Sequence, residues 1–228
     1  MAEPTVQASV ARAVSEVRQR IGDACVRSGR PSVLVTLVGV TKFQPLDRVQ
    51  AAVRCGLHDL GENRAQDLGR RIGDLEGADS VRWHFLGPLQ RNKTRAVAEL
   101  ATAFHALDRL EVAERLAGQR PAGLPPLDVY VEVNVAGEDT KAGVAPGDVA
   151  RLVDGVRGLD RLRVVGLMAM PPAVTFAPEN RRWFAALREL AEQVGVDGLS
   201  MGTSADFDVA VEEGATAVRI GRELFGAR

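Results

Sequence analysis

Apolar residues recur along the chain in two alternating rhythms. Val6, Val10, Val14, Val17 and Ile21 fall at three- and four-residue spacing, which predicts an amphipathic helix that Gly29-Arg30-Pro31 ends. Residues 33–40 then form an unbroken, β-branched apolar run. It is too short for a helix and suits a parallel strand buried on both faces. The two rhythms repeat to the end of the chain. Leu46, Val49 and Val53 mark a helix closed by Gly56, with a strand near 57–60. Leu68, Ile72 and Leu75 mark the helix before a strand at 82–86, and Val97 and Leu100 mark the one before a weak strand at 103–107. Leu110, Ala113 and Leu116 precede the clearest strand, 127–135, and Val149, Leu152 and Val156 precede another at 162–167. A long helix over 178–194 carries Trp183, Leu187 and Leu190 and leads to a short strand at 198–200. A last helix over 206–213 gives way to 217–220.

These are eight strand candidates, each followed by a helix or a terminal turn. Alternation of this kind requires a parallel sheet with right-handed crossovers, an α/β fold. Eight units favour a closed (β/α)8 barrel of the TIM type with one extra helix at its N-terminus. Residues 1–228 are expected to be used up in this single barrel domain, and the proline-bearing stretches 121–126 and 170–178 are expected to be loops.

Composition narrows the function classes. The apolar fraction of 46% and charged fraction of 26% are ordinary for a soluble globular chain. A net charge of −1, from 29 basic and 30 acidic side chains, argues against a nucleic-acid partner and against an acidic solvating tail. Cys25 and Cys55 are too few for a disulfide framework and lack metal-ligand spacing; both read as small apolar residues within helices, in a reducing compartment. The start, residues 1–4, has no basic leader, and the longest aliphatic stretch falls far below the ~20 residues that span a bilayer. A cytoplasmic protein with no membrane partner is expected.

In a βα barrel the chemistry sits at the C-terminal ends of the strands. Lys42 follows the first strand, so the fold points its stem into the barrel mouth. Lysine there is either a solvated loop residue or, once desolvated, a nucleophile able to form a Schiff base. Ser200-Met-Gly-Thr-Ser204 and Arg219-Ile-Gly-Arg222 follow the seventh and eighth strands, where barrels of this type frequently bind phosphate. Ser204 could instead simply cap its helix. A lysine facing a phosphate cradle across the mouth suits an aldehyde-bearing phosphate ester. Asn63 reads as a ligand contact or a helix cap, His84 as a hydrogen-bonded core histidine or a ligand contact, and Met168 and Met170 as packing or binding residues. No metal cluster and no Ser-His-Asp order is present in the sequence.

The segments Val38-Gly-Val-Thr-Lys42, Gly61-Glu-Asn-Arg64, Trp83-His-Phe-Leu-Gly-Pro-Leu-Gln90, Gly166-Leu-Met-Ala-Met170 and Leu199-Ser-Met-Gly-Thr-Ser-Ala-Asp206 resemble those of the pyridoxal 5′-phosphate (PLP) homeostasis proteins. So do Asn92-Lys93, Asn134 with Glu138, Lys141 and Gly143, and Val218-Arg-Ile-Gly221 with Phe225-Gly226. The resemblance runs in order from the first helix to the last turn. It implies a monomer with a fold like the N-terminal barrel of alanine racemase, holding PLP as an internal aldimine on Lys42. It also implies Asn63 beside the ring, Arg219 facing the pyridine nitrogen, Ser204, Gly221 and Arg222 on the phosphate, and Ser200 close by. The sequence departs from the family at Thr203, often methionine, at Arg91, often serine, and at Arg222, often Thr or Ser. The last change loses a hydroxyl but keeps a backbone N–H and adds a guanidinium.

The resemblance implies a carrier that buffers or delivers PLP, with apo-forms of PLP enzymes as partners. The alternative is an amino-acid racemase of the same fold, which needs a second acid/base opposite the lysine. Tyr130, the one tyrosine, reads as part of the fifth strand. A fixed arginine at the pyridine nitrogen also disfavours ring protonation and makes PLP a poorer electron sink. A barrel whose lysine binds no cofactor is the third reading.

Overall fold

The computed structural model describes residues 5–173 and 176–226; the chain start at 1–4 and part of the expected 170–178 loop lie outside the described residues. Eight strands run in the order β1 (Thr36–Val40), β2 (Asp59–Glu62), β3 (Arg82–Phe85), β4 (Ala103–Leu107), β5 (Leu127–Glu132), β6 (Leu162–Met168), β7 (Gly198–Thr203) and β8 (Ala217–Ile220). All pair in parallel with their chain neighbours, and β8 closes on β1. One helix precedes the barrel, α1 (Val6–Arg27). One follows each strand in turn: α2 (Leu46–Arg54), α3 (Ala65–Asp74), α4 (Thr94–Leu100), α5 (Leu110–Gln119), α6 (Val149–Arg157), α7 (Arg181–Val194), α8 (Phe207–Glu212) and α9 (Arg222–Phe225). This is the closed (β/α)8 barrel with an added N-terminal helix that the periodicity predicts.

Side chains on a strand alternate between its two faces, so each strand can serve two environments. One face meets the helices. Leu37, Leu60, Phe85, Phe104, Val131, Leu167 and Val218 are buried there with helix residues such as Val49, Leu68, Leu116, Val153 and Leu187. Helix α1 mends a thin part of this outer ring. α8 and α9 are only six and four residues long, and α1 lays Val10, Val14, Val17 and Ile21 against them and α2. Thr5 caps α1 by accepting from the Ala8 N–H at 3.2 Å. Arg20 bridges to Asp208 and Glu223, and Arg30 donates to the carbonyls of Val211, Gly214 and Ala215.

Several expected boundaries shift for identifiable reasons. Of the run 33–40, residues Ser32–Leu34 form a 3-10 turn with Val33 87% exposed, because the ladder to β8 begins only at Thr36. The strand expected over 127–135 stops at Glu132, and Asn134 turns the chain into a loop by exchanging hydrogen bonds with Glu138. Residues Ala177–Asn180 form a 3-10 turn ahead of α7 with Pro178 in its first turn, and the buried face of α7 is Phe184, Leu187 and Ala191 rather than Trp183. The short strand expected at 198–200 extends to Thr203. Cys25 is buried in α1 as expected, but Cys55 lies one residue past the end of α2 and is half-buried. Among the described residues no helix is long and apolar enough to cross a membrane.

Candidate functional site

The C-terminal ends of the strands surround a cavity of about 890 Å³. Lys42, Asn63, Met168, Ser204, Arg219, Gly221 and Arg222 all line it, joined by Val40, Glu132, Ala142 and Met170 among others. A separate hollow of about 520 Å³ lies at the opposite, N-terminal end, lined by Arg18, His58, Asp59 and Arg82. In barrels of this kind the first location is where chemistry is found and the second contributes to stability.

Lys42 stands two residues beyond β1 on a turn that is clamped from behind. Arg71 of α3 is buried and donates to the carbonyls of Thr41 at 3.1 Å and Gln44 at 2.9 Å. It also donates to Glu62 Oε1 at 3.4 Å, and that oxygen accepts from the Thr41 hydroxyl at 2.6 Å. Burial pushes the Glu62 carboxyl up, opposed by Thr41 and Arg71. Within this clamp Phe43 has φ 61°, the only positive φ of a non-glycine residue among those described. Such a conformation costs roughly 1–3 kcal/mol and persists only where neighbours hold it. Arg71 ties down the carbonyls on either side of Phe43, at Thr41 and Gln44, and so braces the turn that carries Lys42.

Asn63 and Ser204 are not the helix caps they could have been. α3 starts after Arg64, and α8 starts after Asp206, whose Oδ1 accepts from the Thr203 N–H at 2.8 Å. Asn63 Oδ1 is instead buried on the cavity wall with no hydrogen-bond partner among the described residues. A buried acceptor left unpaired is costly, and a ligand donor would relieve it. Gly87 lets this wall form, since a Cβ there would come within 2.1 Å of the Asn63 carbonyl oxygen.

Arg219, on β8, is only 6% exposed. Its guanidinium donates to Ser200 Oγ at 2.6 Å, to the Ala169 carbonyl at 3.1 Å and to Met170 Sδ at 2.8 Å. Burial pushes its pKa down to about 10, against the pull of Glu132 and Asp206. His84 and Ser200 do not line the cavity. They lie beneath its floor in a row with His105 and Asp59: Asp59 Oδ1 to His84 Nε2 at 3.0 Å, His84 Nδ1 to His105 Nε2 at 2.8 Å and His105 Nδ1 to Ser200 Oγ at 2.7 Å. Tyr130 stacks on His105 with ring centroids 4.4 Å apart and does not line the cavity either.

Two groups here escape a reading of the sequence. Glu132 ends β5, across the barrel from β1, and is only 9% exposed. No side chain hydrogen-bonds or ion-pairs with its carboxyl among the described residues. Burial, aided by Asp108 and opposed by Arg219, pushes it up to about 7. His105 sits fully buried in the apolar strand Ala103-Phe-His-Ala-Leu107. A lone histidine inside such a run was the one available signal, and it does not name a partner.

The residues fit a phosphorylated aldehyde cofactor: an amine, an orphaned acceptor and a buried guanidinium share one cavity with the small-residue loops after β7 and β8. Fold and site together define a barrel of the alanine racemase type. The family model described as "Alanine racemase, N-terminal domain" matches residues 46–228. Alanine racemase from Corynebacterium glutamicum superposes with a TM-score of 0.72 at 15% identity, over 96% of this chain and 61% of that one, a likeness of fold. A protein of Pseudomonas aeruginosa named pyridoxal phosphate homeostasis protein is 45% identical over 225 residues, 96% of each chain. PipY of Synechococcus elongatus, solved with PLP bound, is 30% identical with a TM-score of 0.78, over 92% of this chain and 100% of that one. The chain belongs to the family of pyridoxal phosphate homeostasis proteins.

Proposed function

We propose that this protein binds PLP in the cavity at the strand C-termini, as a Schiff base on Lys42, and serves PLP homeostasis as a carrier without a catalytic cycle of its own. The observation that carries this reading is that Lys42, Arg219 and the loops after β7 and β8 line one cavity. Asn63 then lies beside the ring with its buried acceptor satisfied. Met168 packs on the cavity wall, Ser204, Gly221 and Arg222 hold the phosphate, and Arg219 faces the pyridine nitrogen. His84 and Ser200 act from under the floor, through Arg219. Bound PLP supplies electrophilic and electron-sink chemistry, which a cation fixed at the ring nitrogen weakens. The position of Tyr130, stacked on His105 outside the cavity lining, also favours a carrier over a racemase. The protein acts as a cytoplasmic monomer, with apo-forms of PLP enzymes as its recipients.

The test is an absorption spectrum of the purified protein with added PLP, beside Lys42→Ala. A near-visible band in the wild type, absent from the variant and discharged by borohydride, is expected. No band in the wild type would overturn PLP binding on Lys42. Racemisation of alanine or serine by the loaded protein would overturn the non-catalytic part.

A further inference from the structure

The row beneath the cavity has ends of fixed chemical character. Arginine can only donate a hydrogen bond, so Arg219 donates to Ser200 Oγ. The Asp59 carboxyl is pushed up by burial, but hydrogen bonds from His84 and Arg82 outweigh that and hold it at about 2, so it is an acceptor. His84 therefore carries a proton on Nε2 and donates to Asp59. His105 is fully buried, and desolvation, with His84 and Arg219 nearby, drives its pKa well below the ordinary value. It carries one proton. With that proton on Nε2, His105 donates to His84 Nδ1, its own Nδ1 accepts from the Ser200 hydroxyl, and Ser200 accepts from Arg219. All four bonds run one way, and each hydrogen finds an acceptor. The opposite direction would need a second proton on His84 and would leave the Ser200 hydrogen without an acceptor in the row.

We infer that Ser200, His105 and His84 are positioning residues, a one-way hydrogen-bond row that crosses the barrel from Arg219 in the cavity wall to Asp59 at the base and fixes the orientation of the guanidinium. The Ala169 carbonyl and Met170 Sδ take the other guanidinium nitrogen, but both follow β6 on the chain leading into the loop that ends at α7. Ser200 is the one contact anchored inside a strand, at 0% exposure. A guanidinium aimed in this way presents a constant face to whatever lies against it. The inference rests on the reading of Arg219 as the group facing the pyridine nitrogen.

Nitrogen NMR of the full chain, with isotope-labelled histidine, tests the row without any cofactor. Both His84 and His105 are expected to carry their proton on Nε2 at neutral pH with bare Nδ1 atoms, and Ser200→Ala should move the His105 Nδ1 signal while leaving the His84 tautomer unchanged. A proton on His105 Nδ1 would overturn the direction of the row, and this wild-type measurement stands even if the variant fails to fold. With PLP added, Ser200→Ala should weaken binding about tenfold, the scale of one hydrogen bond to a charged group, and shift the absorption band. A purely structural serine would lower the melting temperature while leaving the band where it was. Equal affinity and an unmoved band would sink the positioning role. A wild type that takes up no PLP at all would instead overturn the cofactor reading, leaving the tautomers to judge the row.

Discussion

Asp59 and Glu132 stand at the two ends of one barrel interior, and their surroundings drive them in opposite directions. Asp59, at the base, accepts from both Arg82 Nε at 2.7 Å and His84 Nε2 at 3.0 Å, and its pKa falls to about 2. Glu132, at the mouth, is desolvated to a similar degree without a donor, and its pKa climbs to about 7. At the base the Asp59 carboxylate is already paired within the chain, and on the rim there Arg163 meets Asp128 at 2.6 Å. At the mouth, the Asn63 acceptor is buried without a partner and Glu132 is buried with no side-chain donor among the described residues, which is a cost that folding alone gives no reason to bear. A burial penalty is balanced by donors within the chain at one end and left for a ligand at the other.

The comparison yields a rule: a cation or imidazole donating to a buried carboxyl in this barrel pulls its pKa down against the burial that pushes it up. Glu62 offers the severest trial. It is fully buried, and Arg71 is the cation on it. Arg71→Ala should cost about 3–5 kcal/mol, the scale for removing one partner of a buried ion pair, and should release the turn that carries Lys42. Urea denaturation checks this, and a loss below about 1 kcal/mol would break the rule.

Glu132→Gln should act in the other direction. A carboxyl whose folded pKa is about 7, against an ordinary 4.5, keeps its proton in the native state where the unfolded chain has lost it, so wild-type stability should fall as pH rises from 4.5 to 7. The variant should lose that slope and gain about 2–3 kcal/mol at pH 8, with little change at pH 5. Because an ionised Glu132 also repels a phosphate ester, PLP uptake by the wild type should weaken above neutral pH more steeply than in the variant. Parallel slopes would mean that Glu132 is ionised throughout.

Asp59 carries the complementary sign. Its folded pKa of about 2 lies below the ordinary 3.8, so its contribution is present above pH 4 and is lost as pH falls through 2. Asp59→Asn should cost about 2 kcal/mol at neutral pH and flatten the acid limb of the stability curve. The smallest effect is expected from Arg163→Ala, because its pair with Asp128 is exposed to solvent; a change within about 1 kcal/mol is expected by the same measurement.

The alternation of apolar rhythms is a local property, and locally it determined a great deal: eight βα units, a preceding helix, and the strand ends at which Lys42, Asn63, Ser204 and Arg219 would emerge. The family motifs sharpened that to a cofactor and a lysine. Boundaries proved less legible where a neighbour decided them, as when β1 waits for its ladder with β8 at Thr36. What only the tertiary structure decided is who faces whom across the barrel. Asp59, His84, His105, Ser200 and Arg219 come from five strands, and no spacing along the chain announces that their side chains meet. Nor does it show that Arg71 reaches back to brace the lysine turn, or that Glu132 is left alone. Charge state follows burial and partners, both set by strands far apart in sequence. The chain therefore specifies its chemistry residue by residue, and the closing of the barrel decides which of those residues hold a proton.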